Sequence, residues 1–337
     1  MSMSSTIPLR MQVEIERLRL RSPFRISGYT FDETPVVVVT LQSGQAIGRG
    51  EAAGVYYLDD KPEQIVSTLE SHRSAIEGGI DREQLRRLLP LGGARNALDC
   101  ALWDLEAKLS GKHVWALCGI DNVTPRITTF TLSADEPAAV LRAAQALPQA
   151  KSLKLKLDGD VEMDQQRLRV VRKLRPDAWI GVDANQGYTL KTLNAVMPTF
   201  VEMGVKLVEQ PLPRGREAEL EGFNSPIALA ADESVQGLAD VPGLVGRFQV
   251  VNIKLDKCGG LTEALAMVRE ARRLGLQVMV GNMMGSSLAM APSFVIAQLS
   301  DYVDLDGPVF LAEDRSPGVT YQDGRVHCSS SLWGDEK

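Results

Sequence analysis

Trp179-Ile-Gly-Val-Asp-Ala-Asn-Gln186, Val205-Lys-Leu-Val-Glu-Gln-Pro211, Ile227-Ala-Leu-Ala-Ala-Asp-Glu-Ser234 and Val250-Val-Asn-Ile-Lys-Leu-Asp-Lys-Cys-Gly-Gly260 are four apolar runs, each ending in a charged residue. The terminal residues are Asp183, Glu209, Asp232 and Lys254, spaced by 26 (209 − 183), 23 (232 − 209) and 22 (254 − 232) residues. Each gap has room for a strand, a loop and one crossover helix, the unit from which parallel sheet is made. The pattern predicts an α/β fold in which such units close into a barrel, with the active site at the C-terminal strand ends. Three carboxylates on neighbouring strand ends converge there and repel one another. A hard divalent cation relieves that repulsion, and an all-oxygen site with room for water and a substrate carboxylate suits Mg²⁺. The simpler reading is three unrelated helix N-caps; three in successive units argue against it.

The rest of the chain bounds this reading. A net charge of −6 carries no basic footprint for nucleic acid. No apolar run is long enough to span a membrane. The first ten residues lack the apolar core of a secretory signal, so the expected location is cytoplasmic. Cys100, Cys118, Cys258 and Cys328 are scattered, which predicts reduced, packed thiols. The histidines His72, His113 and His327 are equally dispersed and suggest no His-based metal site.

Residues 11–17 and 36–41 read as strands, separated by a loop at Ser22–Thr30. A third strand ends at Gly48-Arg-Gly-Glu-Ala52, and a second loop, Gly54–Asp60, carries Tyr56 and Tyr57. Helical spacing dominates from Pro62 to Leu109, where Asp99 and Asp104 read as solvated or capping residues. Strand and helix then alternate, with barrel strands expected at Ile127–Leu132, Ser152–Leu157, Gln277–Gly281 and Tyr302–Asp304 besides the four above. These signals divide the chain into a first domain over 1–122, a barrel over 123–310 and a closing segment over 311–337. Gly318–Gly324 in that segment is expected to return to the N-terminal layer.

Lys154-Leu-Lys156 places two lysines on one face of a strand, because side chains two apart point the same way. Buried in a barrel, unpaired ammonium groups are costly; beside a carboxylate cluster they find counter-charge. Lys254 lies four strands further round, across the mouth from Lys156. A metal under a substrate carboxylate with an amine on each face of its α-carbon is an arrangement for inverting that carbon through an enediolate. Lysine is a base near neutrality only if its pKa falls, and the neighbouring cations, Lys154 and Mg²⁺, are expected to lower that of Lys156.

These residues bring in a family. The chain resembles the enolase superfamily, which is known for Lys or His bases with Mg²⁺-stabilised enediolates, and within it the muconate-lactonizing subgroup and its dipeptide epimerases. Lys154-Leu-Lys156, Asp183-Ala-Asn185, Glu209-Gln-Pro211, Asp232-Glu-Ser234 and Asn252-Ile-Lys254-Leu-Asp-Lys257 carry the likeness. It implies a (β/α)7β modified TIM barrel with an α+β capping domain. It further implies that Asp183, Glu209 and Asp232 hold one Mg²⁺ and that Lys156 and Lys254 are the acid/base pair. Lys154 would help hold the substrate carboxylate.

Asp304-Leu-Asp306 resembles the dipeptide epimerase signature that receives the substrate ammonium, implying a small-molecule dipeptide as partner and possible homo-oligomers. Arg25, Tyr29, Tyr56, Thr131, Met284 and Ser286 complete the expected substrate pocket. In the first capping loop, the arginine that alanyl-glutamate epimerases carry aligns with Gly28 or Tyr29 rather than with Arg25. A C-terminal residue without charge is therefore expected. The alternatives are an N-acylamino acid racemase, another lactonizing or dehydrating relative, and a catalytically silent barrel that binds acidic metabolites or a protein.

Overall fold

A computed structural model of the chain describes residues 9–26 and 29–335, without the side chains of residues 25, 26 and 29. Strands β1 (Arg10–Ile26), β2 (Tyr29–Ser43) and β3 (Ala46–Ala52) form an antiparallel sheet in that order. Helices α1 (Pro62–Ser71), α2 (Arg73–Glu77), α3 (Arg82–Leu88), α4 (Gly93–Ser110) and α5 (Val114–Leu117) follow. Val37, Val39 and Leu41 of β2 share a core with Ile65, Leu69, Leu85 and Leu98 of these helices. β-branching and alternation therefore decide which face meets the helices.

The loop expected at Ser22–Thr30 is largely strand. After a register break between Arg19 and Phe24, pairing resumes with Phe24 opposite Phe31 and Arg25 opposite Thr30. Aromatic packing sustains it: Phe24 lies against Phe310 with centroids 4.8 Å apart, and Phe31 meets the Tyr56 ring edge-on at 5.5 Å.

Helix α4 lies directly on β3. A Cβ at Gly48 would meet the Ala101 carbonyl oxygen at 2.2 Å, and one at Gly50 would meet that of Ala97 at 2.1 Å. Gly50→Ala is accordingly expected to destabilise the protein by about 1–3 kcal/mol through overpacking. Denaturant unfolding would reveal this as a lower midpoint at unchanged slope; an unchanged midpoint would refute the packing argument.

Strand β4 (Arg126–Ile127) leads into eight parallel strands. They are β5 (Thr129–Leu132), β6 (Ser152–Lys156), β7 (Trp179–Asp183), β8 (Leu207–Glu209), β9 (Ala228–Ala231), β10 (Val250–Ile253), β11 (Gln277–Val280) and β12 (Tyr302–Val303), hydrogen-bonded in sequence order. Helices α6 (Pro137–Gln145), α7 (Val161–Leu174), α8 (Leu190–Glu202), α9 (Leu255–Cys258), α10 (Leu261–Arg273) and α11 (Ser287–Ala297) accompany them. The strand ladder does not close between β12 and β5; side chains bridge the seam. Leu305 N donates to Thr128 Oγ1 at 2.9 Å, and Thr131 N donates to Asp306 Oδ2 at 2.6 Å.

Two of the expected crossover helices are short 3₁₀ turns, Glu217–Leu220 and Leu238–Leu244. Pro211, Pro213 and Pro226 interrupt the first gap and Pro242 the second, and proline inside a helix removes a hydrogen bond and clashes with the preceding turn.

Within the closing segment, Gly318–Gly324 differs from expectation. β13 (Thr320–Gln322) and β14 (Arg325–His327) form a hairpin on β4, not on the N-terminal layer; β4 offered an open edge. Contact with the N-terminal layer lies on either side of that hairpin. Before it, Ala312 N donates to Arg19 O at 2.8 Å and Arg315 pairs with Glu51 of β3 at 2.7 Å. After it, Trp333 Nε1 donates to Arg49 O at 2.8 Å and Gly334 N donates to Asp104 Oδ1 at 2.8 Å. Asp99 and Asp104 are thus buried rather than solvated. Asp99 accepts from Thr262 N at 2.9 Å and from Thr262 Oγ1 at 2.6 Å, joining α4 to the first turn of α10. All four cysteines are free thiols. No helix among the described residues is long and apolar enough to cross a membrane.

Candidate active site

Strands β6, β7 and β8 end in register, with Lys156 opposite Asp183 and Asp183 opposite Glu209. Val182 and Val208, one residue earlier, face the helices and are fully buried. Alternation therefore turns Asp183 and Glu209 into the barrel mouth, where Asp232, just past β9, joins them. One carboxylate oxygen from each of Asp183, Glu209 and Asp232 lies within 4.8 Å of the others, and none of the three is more than 1% exposed. Burial and then the Asp183 charge push the Glu209 carboxyl up to about 7. Burial acts the same way on Asp232, but the Lys254 and Lys257 ammonium groups outweigh it and hold it below the usual carboxylate range. Converging, buried, all-oxygen donors of this kind fit Mg²⁺.

Cations surround the cluster. Lys156 Nζ donates to Asp183 Oδ2 at 2.6 Å, and Lys254 Nζ donates to Asp232 Oδ2 at 2.6 Å. These lysines belong to β6 and to the end of β10, four strands apart, and both open on one cavity. Lys154 Nζ donates to Glu209 Oε2 at 3.2 Å and also to Asp304.

The carboxylates, more than the neighbouring ammonium groups, set the charge of Lys154 and Lys254. Burial lowers Lys154 and Lys254, but the carboxylates beside them raise both well above the ordinary ammonium value. For Lys154 these are Asp304, Glu209 and Asp183, and for Lys254 they are Asp232 and Glu209. The carboxylates are the nearer charges, so they prevail.

The cavity has a volume of about 270 Å³, and Thr131, Met284, Tyr56 and Tyr57 line it together with Asp304 and Asp306. Asp304 Oδ1 is buried with no partner among the described residues. Asp306 is committed to the barrel seam through Thr131 N, and burial followed by the Asp304 charge pushes it up to about 7. The expected equal pair is therefore unequal, with only Asp304 presenting an unsatisfied oxygen.

Ser286 is a correction. It is fully buried and outside the cavity lining, its hydroxyl donates to Glu51, and Arg315 Nε donates to it at 2.6 Å. As the N-cap of α11 it was drawn into the interface with β3 instead of the pocket. The side chains of Arg25 and Tyr29 lie outside the described residues.

Three residues went unassigned in the sequence reading. Lys257 Nζ donates to Asp232 Oδ1 at 2.6 Å and to Asp232 O at 2.5 Å. Asn252 Nδ2 donates to Glu209 Oε1 at 2.7 Å. Gln210, in the left-handed region at φ 35°, accepts through Oε1 from Asp232 N at 2.9 Å and Ser234 N at 3.1 Å. The signal for Lys257 was the Lys254-Leu-Asp-Lys257 spacing, one helical turn. Gln210 left none, since nothing local favours that backbone conformation for glutamine.

Residues 10–119 match the N-terminal domain of the mandelate racemase/muconate lactonizing enzyme family, and residues 138–331 match the enolase C-terminal domain-like family. The chain is 37% identical to the L-Ala-D/L-Glu epimerase of Escherichia coli K12, covering 91% of this chain and 96% of that one. It is 42% identical to the N-acetyl-D-glutamate racemase of a Pseudoalteromonas species over 76% and 80% of the two chains. Among solved structures, an Agrobacterium tumefaciens enolase family member with homology to dipeptide epimerases holds sodium and L-Ala-L-Glu. It superposes at TM-score 0.94 and 39% identity, covering 97% of this chain and all of that one. The dipeptide epimerase of Methylococcus capsulatus, complexed with Mg and L-Arg-D-Lys, gives 0.88 and 31%, covering 96% and 97%.

Proposed function

Because the chain belongs to the mandelate racemase/muconate lactonizing enzyme family of the enolase superfamily, we propose that it is a Mg²⁺-dependent dipeptide epimerase inverting the Cα of the C-terminal residue. One observation carries this reading: Lys156 and Lys254 reach the same cavity from strands four apart, flanking the Asp183, Glu209 and Asp232 carboxylates. Those three residues would hold Mg²⁺, which supplies positive charge to the substrate carboxylate where negative charge accumulates. One lysine removes the α-proton from its face, and the other returns a proton from the opposite face; exchanging roles runs the reaction backward. Lys257 and Asn252 hold Asp232 and Glu209 in place. The unsatisfied Oδ1 of Asp304 receives the substrate's N-terminal ammonium, and the cap residues Phe24, Phe31 and Tyr56 form an aromatic wall of the cavity. That wall favours an apolar or uncharged C-terminal side chain, although two relatives above are named for glutamate.

Proton NMR of a dipeptide library in D₂O with Mg²⁺ tests the reading. Deuterium entering the C-terminal Cα of free-amine dipeptides supports it, and exchange restricted to N-acyl amino acids makes the chain a racemase instead. No exchange with any acid would leave only binding. Preferential exchange of alanyl-glutamate would overturn the side-chain assignment alone.

Within the same assay, Asp304→Asn is expected to lower kcat/KM for free-amine dipeptides about ten- to a hundredfold, the worth of one charge-assisted hydrogen bond. N-acetylated dipeptides, which bring no cation, should lose far less. Equal losses on both would make Asp304 a partner of Lys154 only.

A further inference from the structure

The short helix α9 follows Lys254 directly, and its side chains diverge to three destinations. Lys254, the N-cap residue, faces the cavity, and Lys257 grips Asp232. Between them Asp256 turns the other way: its Oδ1 accepts from Ala53 N at 2.9 Å and from Gly54 N at 3.1 Å. Those two amides open the second capping loop, which carries Tyr56 and Tyr57 over the cavity. The loop has little freedom beyond that anchor. Gly54 is left-handed at φ +75°, and a Cβ on it would meet Asp60 O at 2.0 Å. At the loop's far end Asp60 Oδ2 accepts from Gly93 N at 2.7 Å, fastening it to α4.

We propose that Asp256 is a positioning residue that fixes the Tyr56–Tyr57 loop over the cavity and references it to the turn bearing Lys254. This rests on the epimerase reading above for its kinetic consequence, not for its structural one. Asp256 touches neither the cavity nor Lys254 Nζ, whose partner is Asp232. Its loss therefore frees the loop without displacing the acid/base group. Asp256 is 6% exposed, and burial, with the Asp60 and Glu51 carboxylates adding to it, pushes its carboxyl up to about 7. Acceptance by Oδ1 is what the loop amides need, and a neutral side chain with the same oxygen can supply it.

The test pairs hydrogen exchange with kinetics on Mg²⁺-loaded protein. In Asp256→Ala, amide exchange across residues 53–61 should accelerate about tenfold or more, since buried acceptor and donor are parted. KM for the best dipeptide found in the library should rise by a similar factor, with kcat within roughly threefold of wild type. Asp256→Asn, which keeps Oδ1, should restore both measurements to near wild type. If Asp256→Ala does not fold, Asp256→Ser, too short to reach both amides, is expected to behave as described for alanine. Unchanged exchange over 53–61 in the alanine or serine variant overturns the proposal, whatever the activity. A fall in kcat at constant KM overturns it too, by showing that Asp256 acts through Lys254. Absence of activity in the wild type would instead defeat the epimerase reading, and the exchange result would still decide the role of Asp256.

Discussion

Lys156→Ala and Lys254→Ala are each expected to abolish epimerisation, with losses on the order of 10²–10⁴ or more for removal of a general acid or base. The two lysines face one cavity from opposite sides, so neither can serve both faces of a planar α-carbon. The variants should differ in what survives. Each is expected to exchange the α-proton of one stereoisomer in D₂O while failing to convert it, and the surviving stereoisomer should be opposite in the two. Near wild-type epimerisation by either variant would end the two-base mechanism. Survival of the same stereoisomer in both would show that the lysines share a face.

Chelation of the divalent cation should be comparably severe. Turnover is expected to fall on the order of 10²–10³ or more, the scale of losing one preorganised electrostatic contact to the developing charge, and to return with Mg²⁺. A thermal readout is independent of activity. A ligand that binds only the folded state at a hundred times its Kd stabilises by about 2.7 kcal/mol, which should raise Tm by several degrees. Asp183 pairs with Lys156, Asp232 with Lys254 and Lys257, and Glu209 with Lys154. The cation must compete with these ammonium groups for the same oxygens. Glu209→Gln removes a charge that burial and Asp183 already penalise. It should therefore shrink or erase the Mg²⁺-dependent rise in Tm while sparing metal-free stability. A full Mg²⁺ response in Glu209→Gln would show that the cation binds elsewhere.

The strand ends were legible in the sequence because two periodicities constrain them. Alternation within a strand and repetition of the strand–helix unit place Asp183, Glu209, Asp232, Lys154, Lys156 and Lys254 on one rim before any coordinate is known. The same reasoning supplied the barrel order, found as β5 to β12 in sequence order. What it could not supply depends on contacts between elements far apart in the chain. The Phe24–Phe310 and Phe31–Tyr56 contacts turn a turn-rich loop into hairpin. Proline in the later crossovers shortens their helices to 3₁₀ turns. The side chains of Lys154, Asp306 and Ser286 were each placed in the pocket by their position along the chain. Their partners, Asp304, Thr131 and Glu51, lie 150, 175 and 235 residues away and decide what each oxygen or ammonium is free to do. Asp256 and Lys257 sit on one helical turn yet point to different parts of the molecule, one to the capping loop and one to Asp232. Sequence spacing determines which rim a side chain reaches, since that follows from backbone geometry alone. Which neighbour satisfies it is decided by tertiary packing, because a buried polar group takes the partner that the fold brings within hydrogen-bond reach.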